Sequence, residues 1–367
     1  MPPQTNRRRP DAAALECHPP VTARTSRTSA PTVYDVARAA GVTAAVVSRV
    51  LNGDETLRVR PDTRERVLEA VKALDYTPNN SARALRLASS GTICLVVNDV
   101  GNPIHASTLR GAQASAESSR RVVLLADAHE FERHPERLRA MVDSRRVDGL
   151  LMHLSGVRHD RSMQRVAEAR VPTVIMNSRV RGPAGSVSLD DAAATRLATD
   201  HLLDLGHTKV AMVTGLAGSD RSQRRQRGVL DALSARGLAL RPEWLIVGGF
   251  DEPRGYTAGK QLLGLPRRPT AVVAANVMAG VGVLAACHEL GVDVPGELSV
   301  IALIDTWFCD HTNPPLTVVD MPMTEMGAKA FELVLEMIEG SPRQSIVLRQ
   351  PAPRLVVRAS TGPPRRR

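Results

Sequence analysis

The sequence predicts a small all-α head followed by a large α/β core. The chain has 367 residues, more than one hydrophobic core usually serves, because cores tend to divide beyond about 250 residues. Residues 32–52 have the pattern of two short helices joined by a tight turn. From Thr92 onward, short apolar runs alternate with helical stretches, as in parallel sheets covered by helices.

The first helix is predicted to begin near Val33. The Thr32 hydroxyl can cap it, and Asp35, three residues on, can accept a hydrogen bond from the Thr32 amide. Gly41 suits the left-handed turn at which this helix ends. Thr43 is a second N-cap, for a helix that runs to about residue 52.

The two helices have an apolar face and an exposed face. The side chains predicted to face inward are Val36, Ala37, Ala40, Val42, Val47 and Val50. Those left outside on the second helix are Ala44, Ala45, Ser48, Arg49 and Asn52. A short exposed helix that carries an arginine among small residues fits the major groove of DNA. We therefore interpret residues 32–52 as a helix-turn-helix motif, against the alternative of a generic helical pair in an enzyme.

A third helix is predicted to open at Pro61 and to end near Asp75, because proline is tolerated in the first helical turn. Its apolar positions, expected to close a three-helix core, are Val67, Leu68, Val71 and Leu74. Residues 79–87 have helical composition but are too few for a stable isolated helix. We expect this hinge to fold only on DNA, the alternative being a plain linker.

The core is predicted from strand-like apolar runs that alternate with helices. These runs are Ile93–Val97, Val122–Ala126, Gly149–Met152, Thr173–Met176, Val210–Val213, Ala271–Ala275 and Leu298–Ile304. Such alternation is typical of parallel sheets with helices on both faces. Because ligands bind these folds at the carboxyl ends of the strands, we expect a small-molecule site there.

The charge of the chain favours a polyanionic partner. The formal net charge is +10, and Lys and Arg contacts with phosphate release bound counterions. Residues 1–90 carry 14 Lys or Arg and 9 Asp or Glu, so the positive charge is densest around the predicted DNA-binding motif. An arginine-rich composition that merely follows codon bias is the alternative explanation.

Cysteine usage favours reduced thiols in the cytoplasm. Four scattered cysteines lack Cys-x-x-Cys spacing. Cys309-Asp310-His311 has no second ligand pair at suitable spacing, so we interpret it as a loop and expect neither a metal nor a cofactor.

Residues 1–30 lack the apolar segment of a secretory signal and are expected to be disordered, with Arg7-Arg8-Arg9 either solvated or in contact with DNA phosphates. The longest apolar stretch, residues 271–287, is shorter than the about 20 residues that span a bilayer, so we expect no membrane partner.

The motifs of the first quarter resemble those of the lactose-repressor (LacI/GalR) family of bacterial transcription regulators. Matching residues run from Thr32-Val33-Tyr34-Asp35-Val36-Ala37 through Ser48-Arg49-Val50-Leu51-Asn52 to Tyr76-Thr77-Pro78-Asn79. Many positions in fixed order make this signal specific. The order of the core elements is also similar to that family, which implies a core of two α/β lobes like that of periplasmic binding proteins.

The resemblance implies a role for each exposed residue of the head. Ala44, Ala45 and Arg49 would read bases, with Arg49 bound to a guanine and the alanines packed on thymine methyls. The residues expected to contact the DNA backbone are Thr32, Tyr34, Ser48 and Asn52. In the hinge, Leu85 would wedge into the minor groove while Asn79 and Ala82 line it. A palindromic operator of double-stranded DNA requires a homodimer, and the end of the chain lacks the leucine heptads of a tetramer.

The same resemblance implies a small-molecule effector, a sugar or related metabolite, bound between the lobes. The matched positions are Ile104, His105, Arg225, Phe250, Asn276 and Asp305. Arg225 would fork onto effector oxygens and Phe250 would stack on a sugar face. From the residues alone, Asn276 is also a candidate helix cap and Phe250 a candidate core residue.

Three positions depart from the family pattern. Ile304 and Val277 stand where acids are common, and Met321 stands where a glutamine is common. A pocket without these acceptors leaves the hydroxyls of a sugar unpaired, at about 1 to 3 kcal/mol each. We therefore expect an effector less polar than a simple hexose, or else a sensor that binds nothing.

The expected domain order places the DNA-binding motif first. An N-terminal extension (1–30) precedes the head (31–76) and the hinge (77–90), and a tail (361–367) follows the core (91–360). Within the core, lobe one is expected at about 91–188 and 321–347, and lobe two at about 189–320 and 348–360.

Two other functional classes compete with this interpretation. Gly280-x-Gly282-x-x-Ala285 imitates the fingerprint of a dinucleotide-binding enzyme, but its glycines do not directly follow a strand. A ligand-binding transport protein would suit the core alone, but not a chain with this head and without a signal peptide. The sequence therefore predicts a DNA-binding regulator that is not an enzyme, and a repressor rather than an activator.

Overall fold

The computed structural model describes residues 31–51, 53–54, 56–77, 89–153, 171–178 and 182–365. The chain forms two compact units, Met1–Asn80 and Ser81–Arg367. The first contains only helices among its described elements, and the second contains two sheets with helices. The predicted fold class, a helix-turn-helix head and a two-lobed α/β core, is confirmed.

Three helices make up the head: α1 (Val33–Ala40), α2 (Ala44–Leu51) and α3 (Pro61–Ala73). The predicted capping box is present, because the Asp35 amide donates to the Thr32 hydroxyl at 3.4 Å and the Thr32 amide donates to the Asp35 carboxylate at 2.9 Å. Gly41, with φ of 66°, ends α1 in the left-handed region that glycine enters readily. The Val46 amide donates to the Thr43 hydroxyl at 3.4 Å, so the second predicted cap is confirmed too.

A small apolar core joins the three helices. Its buried members are Val36, Ala37, Ala40, Val47, Val50, Val67 and Ala70. The prediction that Leu68 belongs to this core is wrong, because its side chain is 50% exposed. Val67, Ala70, Val71 and Leu74 have the i, i+3, i+4, i+7 spacing of one helix face, and Leu68 lies beside that face.

Two six-stranded sheets form the centre of the second unit. The strands of the first sheet are β1 (Thr92–Val97), β2 (Val122–Asp127), β3 (Gly149–His153), β4 (Thr173–Met176), β5 (Gly185–Leu189) and β11 (Ser345–Leu348). Those of the second are β6 (Val210–Thr214), β7 (Leu245–Val247), β8 (Ala271–Ala274), β9 (Ser299–Leu303), β10 (Thr317–Asp320) and β12 (Arg354–Val356). The strand orders are β11-β5-β4-β3-β1-β2 and β12-β10-β9-β8-β6-β7. Neighbouring strands are parallel except β10 and β12.

Helices connect and cover these strands. They are α4 (His105–Ser118), α5 (Ala128–Arg133), α6 (Pro135–Asp143), α7 (Asp191–Asp204), α8 (Asp220–Ala235), α9 (Glu252–Leu263), α10 (Val277–Glu289) and α11 (Met323–Ile338). Short 3₁₀ helices occur at Pro242–Trp244 and Trp307–His311. The last of these contains Cys309, Asp310 and His311, which the sequence placed in a loop.

The seven predicted strands correspond to β1 to β4, β6, β8 and β9, with ends that differ by at most one residue. The pattern missed β5, β7, β10, β11 and β12. β5 has the sequence Gly-Ser-Val-Ser-Leu. All five positions are buried, but its small polar residues interrupt the apolar run by which a buried strand is recognised. β7 and β12 have three residues each, which is too short for a periodic pattern.

The glycines that imitate a dinucleotide fingerprint have a packing role. Gly280 and Gly282 lie inside α10, not at a turn between strand and helix. A Cβ on Gly282 would stand 2.2 Å from the carbonyl oxygen of Glu252, at the start of α9. The missing side chain therefore allows α9 and α10 to cross closely.

Candidate functional site

The exposed side of α2 carries few but distinct side chains. Ala45 and Arg49 are exposed, whereas Ala44 and Ser48 are half-buried. On α1 and at its cap, Tyr34 is 70% exposed and Thr32 is exposed as well. Because Val47 and Val50 of the same helix are buried, the orientation of this exposed face is fixed by the head's core.

The guanidinium of Arg49 is held along one edge by the segment that follows α2. Its Nε donates to Oδ2 of Asp54 at 2.7 Å, and its Nη2 donates to the Thr56 hydroxyl at 3.0 Å. The Thr56 amide and hydroxyl donate to Oδ1 of Asp54 at 2.9 and 2.6 Å. Hydrogen bonds from Thr56 and Arg49 lower the pKa of Asp54 to about 2, so this carboxylate is charged at neutral pH.

In the second unit, a cavity of about 340 Å³ lies at the carboxyl ends of strands from both sheets. Its lining includes the residues that end or follow six of these strands: Asn98, His153, Leu216, Phe250, Asn276 and Ile304. This is the position at which open α/β sheets bind ligands.

Arg225 lines this cavity, and its side chain is held by the protein itself. Its side chain is 1% exposed, and its Nε donates to Oδ1 of Asp191 at 2.8 Å. Its Nη1 donates to the Ala275 carbonyl, and its Nη2 lies 4.0 Å from the sulfur of Met321. Asp191 is fully buried and also binds Arg224 at 2.6 Å. The positive charge of Arg225 is therefore balanced within the fold.

A second arginine, Arg221, lies one helical turn before Arg225 on α8. It is 6% exposed, and its Cζ lies 4.0 Å from the centre of the Phe250 ring, a cation–π distance. Arg225 lies farther from the same ring, at 5.9 Å. Phe250 thus orients a buried guanidinium rather than filling an apolar core.

Two buried imidazoles also line this cavity, His105 at the start of α4 and His153 at the end of β3. His105 and His153 are 7% and 3% exposed, and their ring centres lie 4.7 Å apart in an edge-to-face arrangement. Burial and the charge of Arg221 lower the pKa of His105 to about 4. Burial, His105 and then Arg221 lower the pKa of His153 as well. Both rings are therefore neutral at pH 7.

Asn276 has the capping role that the sequence left open. Its side-chain oxygen accepts from the Ala279 amide at 2.9 Å at the start of α10, and its amide donates to the Phe250 carbonyl at 2.8 Å. These bonds hold the cavity wall in place.

Asp305 is absent from the cavity lining, and Ile304 is there instead. Both carboxylate oxygens of Asp305 accept from Nη2 of Arg358, at 3.0 and 3.1 Å. The expectation that Asp305 contacts an effector thus finds no support in its position. Ile304 has φ of 73°, an uncommon left-handed conformation for a β-branched residue.

Comparison with known proteins assigns both units. Residues 32–79 match the model "Bacterial regulatory proteins, lacI family", and residues 199–361 match "Periplasmic binding protein-like domain". The transcriptional repressor PurR of Erwinia tasmaniensis is 32% identical over 334 residues, which cover 90% of this chain and 97% of PurR. This chain belongs to the lacI family of bacterial regulatory proteins.

Two solved structures of the family show the same architecture. The complex of the transcriptional regulator CelR with cellobiose has 30% identity and a TM-score of 0.67, over 90% of this chain and 99% of CelR. The lac repressor dimer bound to operator and the anti-inducer ONPF has 25% identity and a TM-score of 0.73, over the same shares of each chain. As a member of the lacI family, the protein is a DNA-binding transcriptional regulator. Within its described residues, no helix is long and apolar enough to cross a membrane.

The structure brings five predicted effector residues of this lacI-family chain together around one cavity: Ile104, His105, Arg225, Phe250 and Asn276. Sequence reasoning missed Arg221 and His153. The available signal for Arg221 was its i, i+4 spacing from Arg225 on a helix that follows a strand. Four predicted DNA contacts lie outside the described residues: Asn52, Asn79, Ala82 and Leu85.

Proposed function

We propose that this protein is a homodimeric transcriptional repressor, without catalytic activity, that acts in the cytoplasm and binds a palindromic operator. A small molecule in the cavity modulates its affinity for that operator. The proposed domain order is the head (31–76), the hinge (77–90) and the effector-binding core (91–360). The observation that carries the proposal is the capped helix α2, whose buried valines aim Ala45 and Arg49 outward.

In this proposal the exposed residues of the head divide into two groups. Arg49 binds O6 and N7 of a guanine, while Ala44 and Ala45 pack against thymine methyls. The groups that position the head on the DNA backbone are Thr32, Tyr34, Ser48 and Asn52. The exposure of Arg49 and Tyr34 supports these assignments.

The hinge assignment rests on the family match, which extends to residue 79. Leu85 inserts into the minor groove, and Asn79 and Ala82 line it. Insertion by a pair of hinges requires two copies of the chain on one two-fold site. The similarity to a lac repressor dimer on operator DNA supports this arrangement.

Effector binding couples to DNA binding through a shift between two conformations of the core. A ligand that binds one conformation more tightly shifts the equilibrium by at most its difference in binding free energy between the two conformations. By the resulting coupling, ligand and operator change each other's affinity by the same factor. The cavity between the two sheets and the similarity to a cellobiose complex support this site. The direct ligand contacts are Ile104, His105, Arg225 and Phe250, while Asn276 shapes the wall.

Selection of binding sites from a random duplex library tests the DNA assignment. The full-length protein is expected to enrich one two-fold symmetric sequence and to bind it with two chains per duplex. Enrichment of no sequence, or of an asymmetric sequence bound by one chain, would contradict the proposal.

Asp54→Ala is expected to lower the preference for the selected site over a scrambled duplex severalfold. Asp54 and Thr56 bind the Nε and Nη2 edge of Arg49, which leaves the Nη1 and Nη2 end for a guanine. The ratio of the two dissociation constants, from fluorescence anisotropy, measures this effect. Asp62→Ala removes the same charge from the exposed first turn of α3 and should leave the ratio unchanged. A higher ratio in Asp54→Ala would show that Asp54 instead competes with DNA for Arg49.

A further inference from the structure

We propose that Asp148 positions the hinge for operator binding. Its carboxylate fixes the point at which the hinge joins the core, and so determines which spacing of operator half-sites a dimer accepts. This inference rests on the proposed function of the head and the hinge. It adds a positioning residue that belongs to the core and touches neither DNA nor effector.

The hinge (77–90) ends and the core begins within residues 89–91, which we call the entry segment. The entry segment immediately precedes β1. Its Gly91 carbonyl accepts from the Val122 amide, at the start of β2, at 2.9 Å. Since β1 and β2 are parallel, the entry segment lies at the amino end of the first sheet, and the effector cavity lies at the opposite, carboxyl end.

Asp148 directly precedes β3 at the same end of this sheet. Its carboxylate accepts from every residue of the entry segment. The donors are the Ser89 hydroxyl at 2.6 Å, the Ser90 amide and hydroxyl at 2.7 and 3.0 Å, and the Gly91 amide at 2.9 Å. Nη1 of Arg121 also donates to it, at 2.8 Å. Both carboxylate oxygens are therefore engaged, mostly by the entry segment.

The attachment is strong because the acceptor is charged and shielded from water. The side chain of Asp148 is 9% exposed. Burial alone would raise its pKa, but the hydrogen bonds from the entry segment outweigh burial and lower the pKa of Asp148. The carboxylate is therefore ionised at neutral pH. Hydrogen bonds to an ionised acceptor are about twice as strong as those between neutral groups.

The entry segment has few other attachments to the core. In the part of the chain that the structure describes, its other hydrogen bonds are the one to the Val122 amide and one from the Thr92 amide to the Ser90 hydroxyl, at 3.1 Å. All three of its residues are half-buried, so water can reach them. Loss of the Asp148 carboxylate therefore frees up to three residues between the hinge and the sheet.

Release of the entry segment changes which operators a dimer can bind. Three extended residues add up to about 11 Å to the reach of each hinge. One inserted base pair separates two half-sites by about 3.4 Å and rotates one against the other by about 34°. An anchored hinge therefore distinguishes these spacings, and a released hinge does not. Each residue that DNA binding must order again also costs about a factor of ten in affinity.

Fluorescence anisotropy with the full-length protein tests the inference on three duplexes: the selected palindrome, the same palindrome with one base pair inserted at its centre, and a scrambled duplex. The wild type is expected to prefer the palindrome to the inserted duplex. Asp148→Asn is expected to lower this preference about tenfold, while binding to the scrambled duplex stays unchanged. An equal loss on all three duplexes would show that Asp148 only stabilises the fold. That result, or no such preference in the wild type, would overturn the inference.

Two further variants separate the two sides of the carboxylate. Ser89→Ala combined with Ser90→Ala should lower the preference as well, by a smaller factor because the amides of the entry segment remain as donors. Arg121→Gln removes a donor that lies next to β2 and should leave the preference unchanged. The inference is wrong if the serine variant keeps the wild-type preference, or if Arg121→Gln loses as much of it as Asp148→Asn.

The serine variant decides alone if Asp148→Asn fails to fold, because its two hydroxyls are half-buried and their loss leaves every charge in place. Failure of the proposed function is visible in the wild type, as equal affinity for the palindrome and the scrambled duplex. Failure of the spacing role with an intact function leaves that wild-type selectivity in place, so the two failures are distinguishable.

Discussion

Replacement of Arg49 by alanine is expected to weaken binding to the selected operator by about 1 to 3 kcal/mol in each half-site, the worth of a bidentate arginine–guanine contact. A two-fold site loses this contact twice. Binding to a scrambled duplex should fall much less, because it depends on phosphate contacts. Titration of both duplexes by fluorescence anisotropy measures the two losses.

Arg38→Ala is the matched control for this experiment. Arg38 lies on α1 with its side chain 82% exposed and pairs with Asp35 at 3.6 Å. Its removal takes the same charge from the head but should affect both duplexes alike. Equal losses on operator and scrambled DNA in Arg49→Ala would refute the base-reading role.

Asp191→Asn is expected to destabilise the core by about 3 to 5 kcal/mol, as is usual when one partner of a buried ion pair is removed. Asp191 is fully buried between Arg224 and Arg225, so its neutralisation leaves the Arg225 charge without a carboxylate. Urea unfolding measured by tryptophan fluorescence reports this loss, because both tryptophans, Trp244 and Trp307, belong to the second unit and Trp244 is buried there.

Asp200→Asn makes the same chemical change on the same helix, α7. Its partner Arg196 is 56% exposed and 3.6 Å away, so the change should cost less than about 1 kcal/mol. Equal losses in the two variants would show that burial of the Asp191 pair contributes nothing to stability.

The helix ends of the head could be predicted because the interactions that set them are local. Thr32 and Asp35 are three residues apart, and Gly41 acts through its own backbone. The error at Leu68 has a tertiary cause. The spacing of Leu68 and Val71 does not decide which face of α3 is buried. Only the contacts of α3 with α1 and α2 determine that the buried face includes Ala70 and not Leu68.

The effector cavity could be predicted in position but only partly in chemistry. Parallel strands place their carboxyl ends together, and family resemblance supplied five of the lining residues. The role of Arg221 follows from its stacking on Phe250, a contact between residues far apart in the chain. The sequence predicted Asp305 in the cavity, whereas the structure places Ile304 there. Side chains alternate along a strand and its extension, so one of two successive residues faces the cavity, and only the fold decides which one.

The most direct test of the central claim compares the affinity of the full-length protein for its selected palindrome with that for a scrambled duplex of equal composition. At about 0.15 M salt, the account predicts that the palindrome binds about a thousandfold more tightly, the lower end for specific DNA-binding proteins. Arg49→Ala should reduce this ratio and Arg38→Ala should not. A wild-type ratio near one would contradict the assignment of the head as a sequence-specific DNA reader.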